Sequence, residues 1–170
     1  MSLPTLESKQ YPLEILTEYY LLQGIVEPVG VLMTYLDTPD RTNILLSDVT
    51  MTGLGSDSTV NAIKVKELWV QREEIVAIRV NEADLGQPLQ NLPAKGLLRV
   101  FLPRFVVQAT FTHGPDTRIG DLFELMKGTW AAAREAKIFP LTAVRTNTFR
   151  DADLLLINKN RIRFFEPIPE

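Results

Sequence analysis

Tyr19-Tyr-Leu-Leu-Gln-Gly-Ile-Val26 and Val29-Gly-Val-Leu-Met-Thr-Tyr-Leu36 are two short apolar runs separated by Glu27-Pro28. They are rich in aromatic and β-branched side chains, which favour a pleated, half-buried surface, so both are expected to be strands. Thr38-Pro-Asp-Arg41 follows as a turn signal, because Pro fixes φ and Asp can bond its own backbone. Thr42 to Met51 reads as a third strand, Gly53 to Ser58 as a loop, and Val60–Val70 and Ile75–Val80 as a last pair joined by Gln71-Arg-Glu-Glu74. Five short strands in so little chain predict a small barrel or curled sheet.

Residues 83–96 carry two Gly and two Pro and read as a linker. The chain therefore divides into an N-terminal β unit (1–82) and a C-terminal β unit (97–170), which can pack as one domain. In the second unit, Leu97–Leu102 and Arg104–Thr112 are expected strands broken by Pro103, and His113-Gly-Pro-Asp116 is a turn. Ile119, Leu122, Phe123, Met126 and Trp130 recur at helical spacing, predicting a helix over about 117–136 that Asp116 or Thr117 caps. Gly128 is placed to end or kink it. Strands are expected again at Ile138–Asn147, Ala152–Asn158 and Arg161–Phe165. The fold class is mainly β, with one helix inserted in the second half.

The two units echo each other. Trp69-Val-Gln-Arg-Glu-Glu-Ile75 lies over Leu156-Ile-Asn-Lys-Asn-Arg-Ile162 at an offset of 87, each run having two apolar residues, a carboxamide, a cation, two polar residues and Ile. Ile44–Val49 lies over Phe139–Val144 at an offset of 95, with the difference assigned to the Gly53–Ser58 loop. Self-similarity at a fixed period is the mark of a repeated unit, and the chance likeness of two hairpin-forming segments is the alternative.

Gly30-Val-Leu-Met-Thr-Tyr-Leu-Asp37 with Asn43-Ile-Leu-Leu-Ser-Asp48 resembles the first motif of Sm-like small β-barrels, and the resemblance extends over residues 26–80. Asn43, Leu46 and Asp48 match the spacing of its Asn-x-x-Leu-x-Asp run. The spacings before Asp37 and Asn43 are longer than in the family, and Arg72-Glu73 stands where the family has Arg-Gly, so RNA binding is not carried over. The resemblance implies a curled five-stranded sheet and ring or dimer assembly through strand edges.

Composition narrows the chemistry. The 170 residues contain no Cys and one His, which excludes a disulfide framework, a thiol nucleophile and a His-rich metal site. The net charge of −3 is a cancellation: residues 1–90 carry 6 basic and 13 acidic side chains, residues 91–170 carry 12 and 8. The plainer reading of such asymmetry is two differently solvated surfaces; it can also favour packing of one half on the other, head-to-tail association, or a local anion-facing patch. The first residues lack a basic region followed by an apolar core, and no run is long enough to span a membrane. A cytoplasmic protein with no membrane partner is expected.

His113, Asp116 and Arg118 are the weak catalytic candidates, since a His and an Asp on one turn can form an acid–base pair. The plainer reading is that His113 ends a strand and Asp116 caps the next helix. Arg145, Arg150, Lys159, Arg161, Arg163 and Phe165 are the nucleic-acid candidates, because a basic strand face with an aromatic suits single-stranded backbone and a stacked base. A pI of 5.3 argues against that use. The Asp residues at 37, 40, 48, 151 and 153 lack the ligand spacing of a calcium loop, and no metal or cofactor is expected. Trp130 and Trp69 are expected in the core, with an assembly interface the alternative for Trp69. The leading expectation is a non-enzymatic interaction or regulatory module that forms a homo-oligomer, with nucleic-acid or nucleotide binding second and catalysis at His113 third.

Overall fold

A computed structural model describes residues 8–145 and 149–169. Residues 1–7 and the last two residues of the expected strand 138–147 lie outside the described residues. The chain runs β1 (Tyr11–Thr17), β2 (Tyr20–Val26), α1 (Leu32–Asp37), β3 (Asn43–Gly53), β4 (Ile63–Gln71), β5 (Ile75–Arg79), β6 (Ala94–Leu102), β7 (Phe105–His113), α2 (Leu122–Leu125), β8 (Trp130–Pro140), β9 (Asp151–Asn158) and β10 (Phe164–Pro167). All pairings are antiparallel, in one ten-stranded sheet ordered β10-β6-β7-β8-β9-β5-β1-β2-β3-β4. The expected mainly-β class is right, but the barrel is not: the sheet is open, with β10 and β4 as its edges.

That order contains a repeat. The first half runs β5-β1-β2-β3-β4 and the second β10-β6-β7-β8-β9, the same path with the fifth strand returning beside the first. Local details repeat too. A 3-10 turn joins β4 to β5 at Arg72–Glu74 and β9 to β10 at Lys159–Arg161. It is closed in one half by Ile75 N–H to Arg72 O and in the other by Ile162 N–H to Lys159 O. Arg72 N–H binds Thr42 O at 2.8 Å, and Lys159 N–H binds Thr129 O at 3.0 Å. β3 shifts register against β2 around Asp48 (φ 49°), and β8 shifts register against β7 around Glu135 (φ 50°). Each of these pairs is 87 residues apart. The offset of 95 is overturned, because β8 begins 87 residues after β3 and Phe139–Val144 runs off its end.

Several expected elements differ. Val29–Leu36 is not a strand: Gly30 takes φ 90° and the chain then coils into α1, burying Leu32, Met33 and Leu36 on one side. The fifth strand of the first half is instead β1, whose Leu13 and Ile15 are buried against β2 and β5. The helix at 117–136 shrinks to a 3-10 turn at Ile119–Asp121 followed by α2. Arg118, not Asp116 or Thr117, precedes that turn, and it makes no side-chain cap. The chain is already extended at Met126, Gly128 (φ 79°) turns it, and Trp130–Pro140 extends between β7 and β9. Ala131, Ala133 and Ala136 are buried there, so partner strands on both sides override alanine's helical preference. Of the strand expected at 138–147, the start belongs to β8, and beyond it Val144 makes an isolated bridge with Gly55. β10 starts at Phe164, after the 3-10 turn that holds Arg161. Within the linker-like segment 83–96, Leu85 is buried in a 3-10 turn and β6 is already under way at Ala94.

The core crosses the middle of the sheet. One cluster joins Leu16, Leu21, Val76 and Ala77 of the first half to Phe105, Phe111, Leu155 and Ile157 of the second. The other joins Ile15, Ile44 and Ile78 to Trp130, Leu154 and Leu156.

Candidate functional site

Three places carry enough exposed chemistry to be weighed. The first is an open cleft of about 910 Å³ over β1, β2 and β9. Its polar walls hold Glu14, Asp48, Glu82 and Asp153 against a single Arg79, which pairs with Glu14 at 3.1 Å. Gln23 donates to the same carboxylate at 3.1 Å. Glu82 is committed elsewhere, accepting two bonds from Arg134 at 2.6 and 2.8 Å. Those bonds lower the Glu82 pKa and raise that of Arg134. Among the described residues no three His, Asp or Glu side chains converge on a metal position. Asp37 serves structure: it accepts from Thr129 N–H at 2.8 Å.

The second is a cleft of about 380 Å³ lined by Met33, Leu122, Met126, Trp130 and His113. His113 ends β7, as its plainer reading expects, and Nδ1 lies 2.8 Å from Gly114 O. A carbonyl only accepts, so Nδ1 carries a proton there. Asp116 and Arg118 are exposed on the following turn and are not among the residues lining this cleft. The triplet chosen from sequence therefore does not converge on one cavity.

The basic candidates are also spread out. Lys159 Nζ donates to Met126 O at 2.5 Å and Arg161 to Glu18 at 3.3 Å. Arg145 bonds Ser58 O through its guanidinium and Leu54 O through its backbone, at 3.1 Å for the latter. Phe165 packs edge-on against Phe123 with ring centroids 4.9 Å apart, so its face is used internally. Arg150 is exposed just before β9, and Arg163 is exposed beside β10 with its N–H bound to Phe101 O at 2.9 Å.

The third place is the pair of sheet edges. β4 and β10 each pair on one side only. Trp69 on β4 is 55% exposed and Phe164 on β10 is 68% exposed, whereas Trp130 is buried with its indole N–H on Leu36 O at 3.0 Å. Large apolar side chains on an unpaired edge strand are a docking surface for another strand.

Fold and edges together define an antiparallel β protein of two repeated five-stranded units with both outer strands open. No known protein family, curated protein or solved structure matches the chain. Among the described residues no helix is long and apolar enough to cross a membrane.

Proposed function

We propose that this protein is a non-enzymatic, cytoplasmic interaction module, built of two Sm-like β units, that works as a homo-oligomer. The observation that carries the reading is the exposure of Trp69 and Phe164 on strands that, among the described residues, pair with a neighbour on one side only. An edge of this kind invites another strand, and natural proteins blunt it with charge, proline or a covering element. β10 is short and ends in Pro167; β4 is nine residues long and carries exposed Lys64, Lys66 and Glu67 along its first part, which leaves Leu68–Gln71 as its uncharged stretch. The five-stranded build of each half supports the Sm-like reading, whereas Leu32–Asp37, within the stretch that carries the likeness to that family's first motif, folds as α1 and not as the strand the motif calls for. The split of charge between the halves supports association of unlike surfaces.

Light scattering on the purified chain tests the proposal. A mass of two or more chains is expected at micromolar concentration. A mass of 19.2 kDa persisting at high concentration would overturn it.

A further inference from the structure

The molecule contains one worked example of how a unit joins its neighbour. Inside the chain, β5 of the first unit pairs with β9 of the second, placing Ala77 opposite Ile157, Ile78 opposite Leu156 and Arg79 opposite Leu155. The junction is completed by Asn158, only 1% exposed, whose amide donates to Ile75 O at 2.9 Å and Arg72 O at 3.3 Å. In the repeat, β5 corresponds to β10 and β9 corresponds to β4. The two open edges are therefore the same two edges that meet inside the molecule.

The counterparts differ in one telling way. Ala77 and Leu156 are fully buried at the internal junction. The residues 87 positions away from them, Phe164 and Trp69, are the most exposed large apolar side chains of the open edges, ahead of Ile63 on β4. The carboxamide is repeated as well: Gln71 is the counterpart of Asn158 and is exposed. Carbonyls equivalent to those Asn158 binds are present on Lys159 and Ile162, which hold the same 3-10 turn as Arg72 and Ile75.

We infer that copies of this chain associate head to tail, β10 of one pairing antiparallel with β4 of the next in the register of the internal junction. This rests on the self-association proposed above and specifies its geometry. Phe164 stands opposite Val70 of the next copy, Phe165 opposite Trp69, and Glu166 opposite Leu68. Trp69 of the next copy then adds to the interior that already holds Phe165 and Phe123, as Leu156 adds to the first unit's interior. Phe164 enters the next copy's first interior beside Val70. Gln71 of the next copy donates to the carbonyls of Ile162 and Lys159. The contact is heterologous, joining the acidic half of one copy to the basic half of another, and every assembly it builds contains two β units per chain.

Because the chain has no cysteine, engineered thiols report the register cleanly. Leu68→Cys and Glu166→Cys chains are prepared separately, then oxidised alone and mixed. Disulfide-linked dimers are expected in the mixture at several times the yield of either variant alone, and Ile63→Cys in place of Leu68→Cys should abolish them. An oligomer by light scattering that cross-links within one variant, 68 to 68 or 166 to 166, overturns the head-to-tail geometry while leaving self-association standing. A monomer overturns both. As a second measure, Gln71→Ala should weaken association about tenfold while leaving the unfolding midpoint unchanged at concentrations where the chain is monomeric, since two hydrogen bonds are lost only between copies. Gln71→Asn, the amide used at the internal junction, should restore most of it. Association unchanged in Gln71→Ala would count against the assigned role of Gln71 and the register.

Discussion

Asn158 holds the seam between the two halves with one side chain. Its amide nitrogen serves two carbonyls across the junction and its oxygen accepts from Asn160 N–H at 3.0 Å, so a fully buried polar group is satisfied on both ends. Asn158→Ala should cost about 2–3 kcal/mol, because the bonds are lost and the buried carbonyl of Ile75 is left without that donor. A urea titration checks this; a loss under 1 kcal/mol would mean that water replaces the amide. A second residue-scale expectation concerns pH. Glu82 and Arg134 bridge the halves on the surface, and the Arg134 hydrogen bonds lower the Glu82 pKa. A carboxylate with a lowered folded pKa adds stability above its unfolded range and loses it as pH falls through the folded value. With both side chains partly in solvent the pair is worth about 0.5 kcal/mol. Glu82→Gln should therefore be less stable than wild type at neutral pH, and the difference should vanish as the pH falls through the lowered pKa of folded Glu82.

The elements show what side-chain patterning can and cannot convey. The strands β2, β3, β5, β7 and β9 were legible because apolar β-formers stand between clear turn signals. Leu32, Met33 and Leu36 were not: in eight residues an alternating strand and a two-turn helix use almost the same apolar pattern, and Gly30 at positive φ decides between them. Ala131-Ala-Ala133 has the composition of a helix and becomes a strand because β7 and β9 lie on either side. The carboxamide shared by Gln71 and Asn158 was visible in the echo, but its meaning depends on strand order, which local sequence does not encode. The same holds for Trp69, core or edge according to where β4 falls. The repeated bulges give an element-scale prediction. Glu135 and Asp48 hold a left-handed backbone that costs most L-residues about 1–2 kcal/mol, and Asp tolerates it better than Glu. Glu135→Gly should stabilise by about 0.5 kcal/mol after glycine's greater unfolded-state entropy is counted, and Asp48→Gly should be near neutral. Thermal melts of the two variants compare them directly; a destabilised Glu135→Gly would mean that its side chain, not its backbone, shapes the bulge.

At the scale of the molecule, the repeat raises the question of whether two units make two folding domains. The core says that they make one. Leu16, Leu21, Val76 and Ala77 belong to the first half by sequence yet pack in the cluster centred on β6 to β9, while Trp130, Leu154 and Leu156 pack with the first half. Neither half can unfold without exposing apolar surface of the other, and the β5–β9 hydrogen bonds break whichever half opens. Further ties cross the same boundary: Trp130 to Leu36, Thr129 to Asp37, Arg161 to Glu18. Gly128 permits this docking because a Cβ there would stand 2.1 Å from an Asp37 carboxylate oxygen. Coupling of this kind makes unfolding all-or-none. Calorimetry should show one transition whose van't Hoff and calorimetric enthalpies agree. Leu155→Ala, a deletion at a fully buried site in the second half, should lower the single midpoint by an amount corresponding to about 3 kcal/mol. Two resolved transitions, with only one moved by Leu155→Ala, would instead make the halves separate domains that touch at a seam. The charge split then takes on a physical sense: the acidic and basic halves meet along β5 and β9.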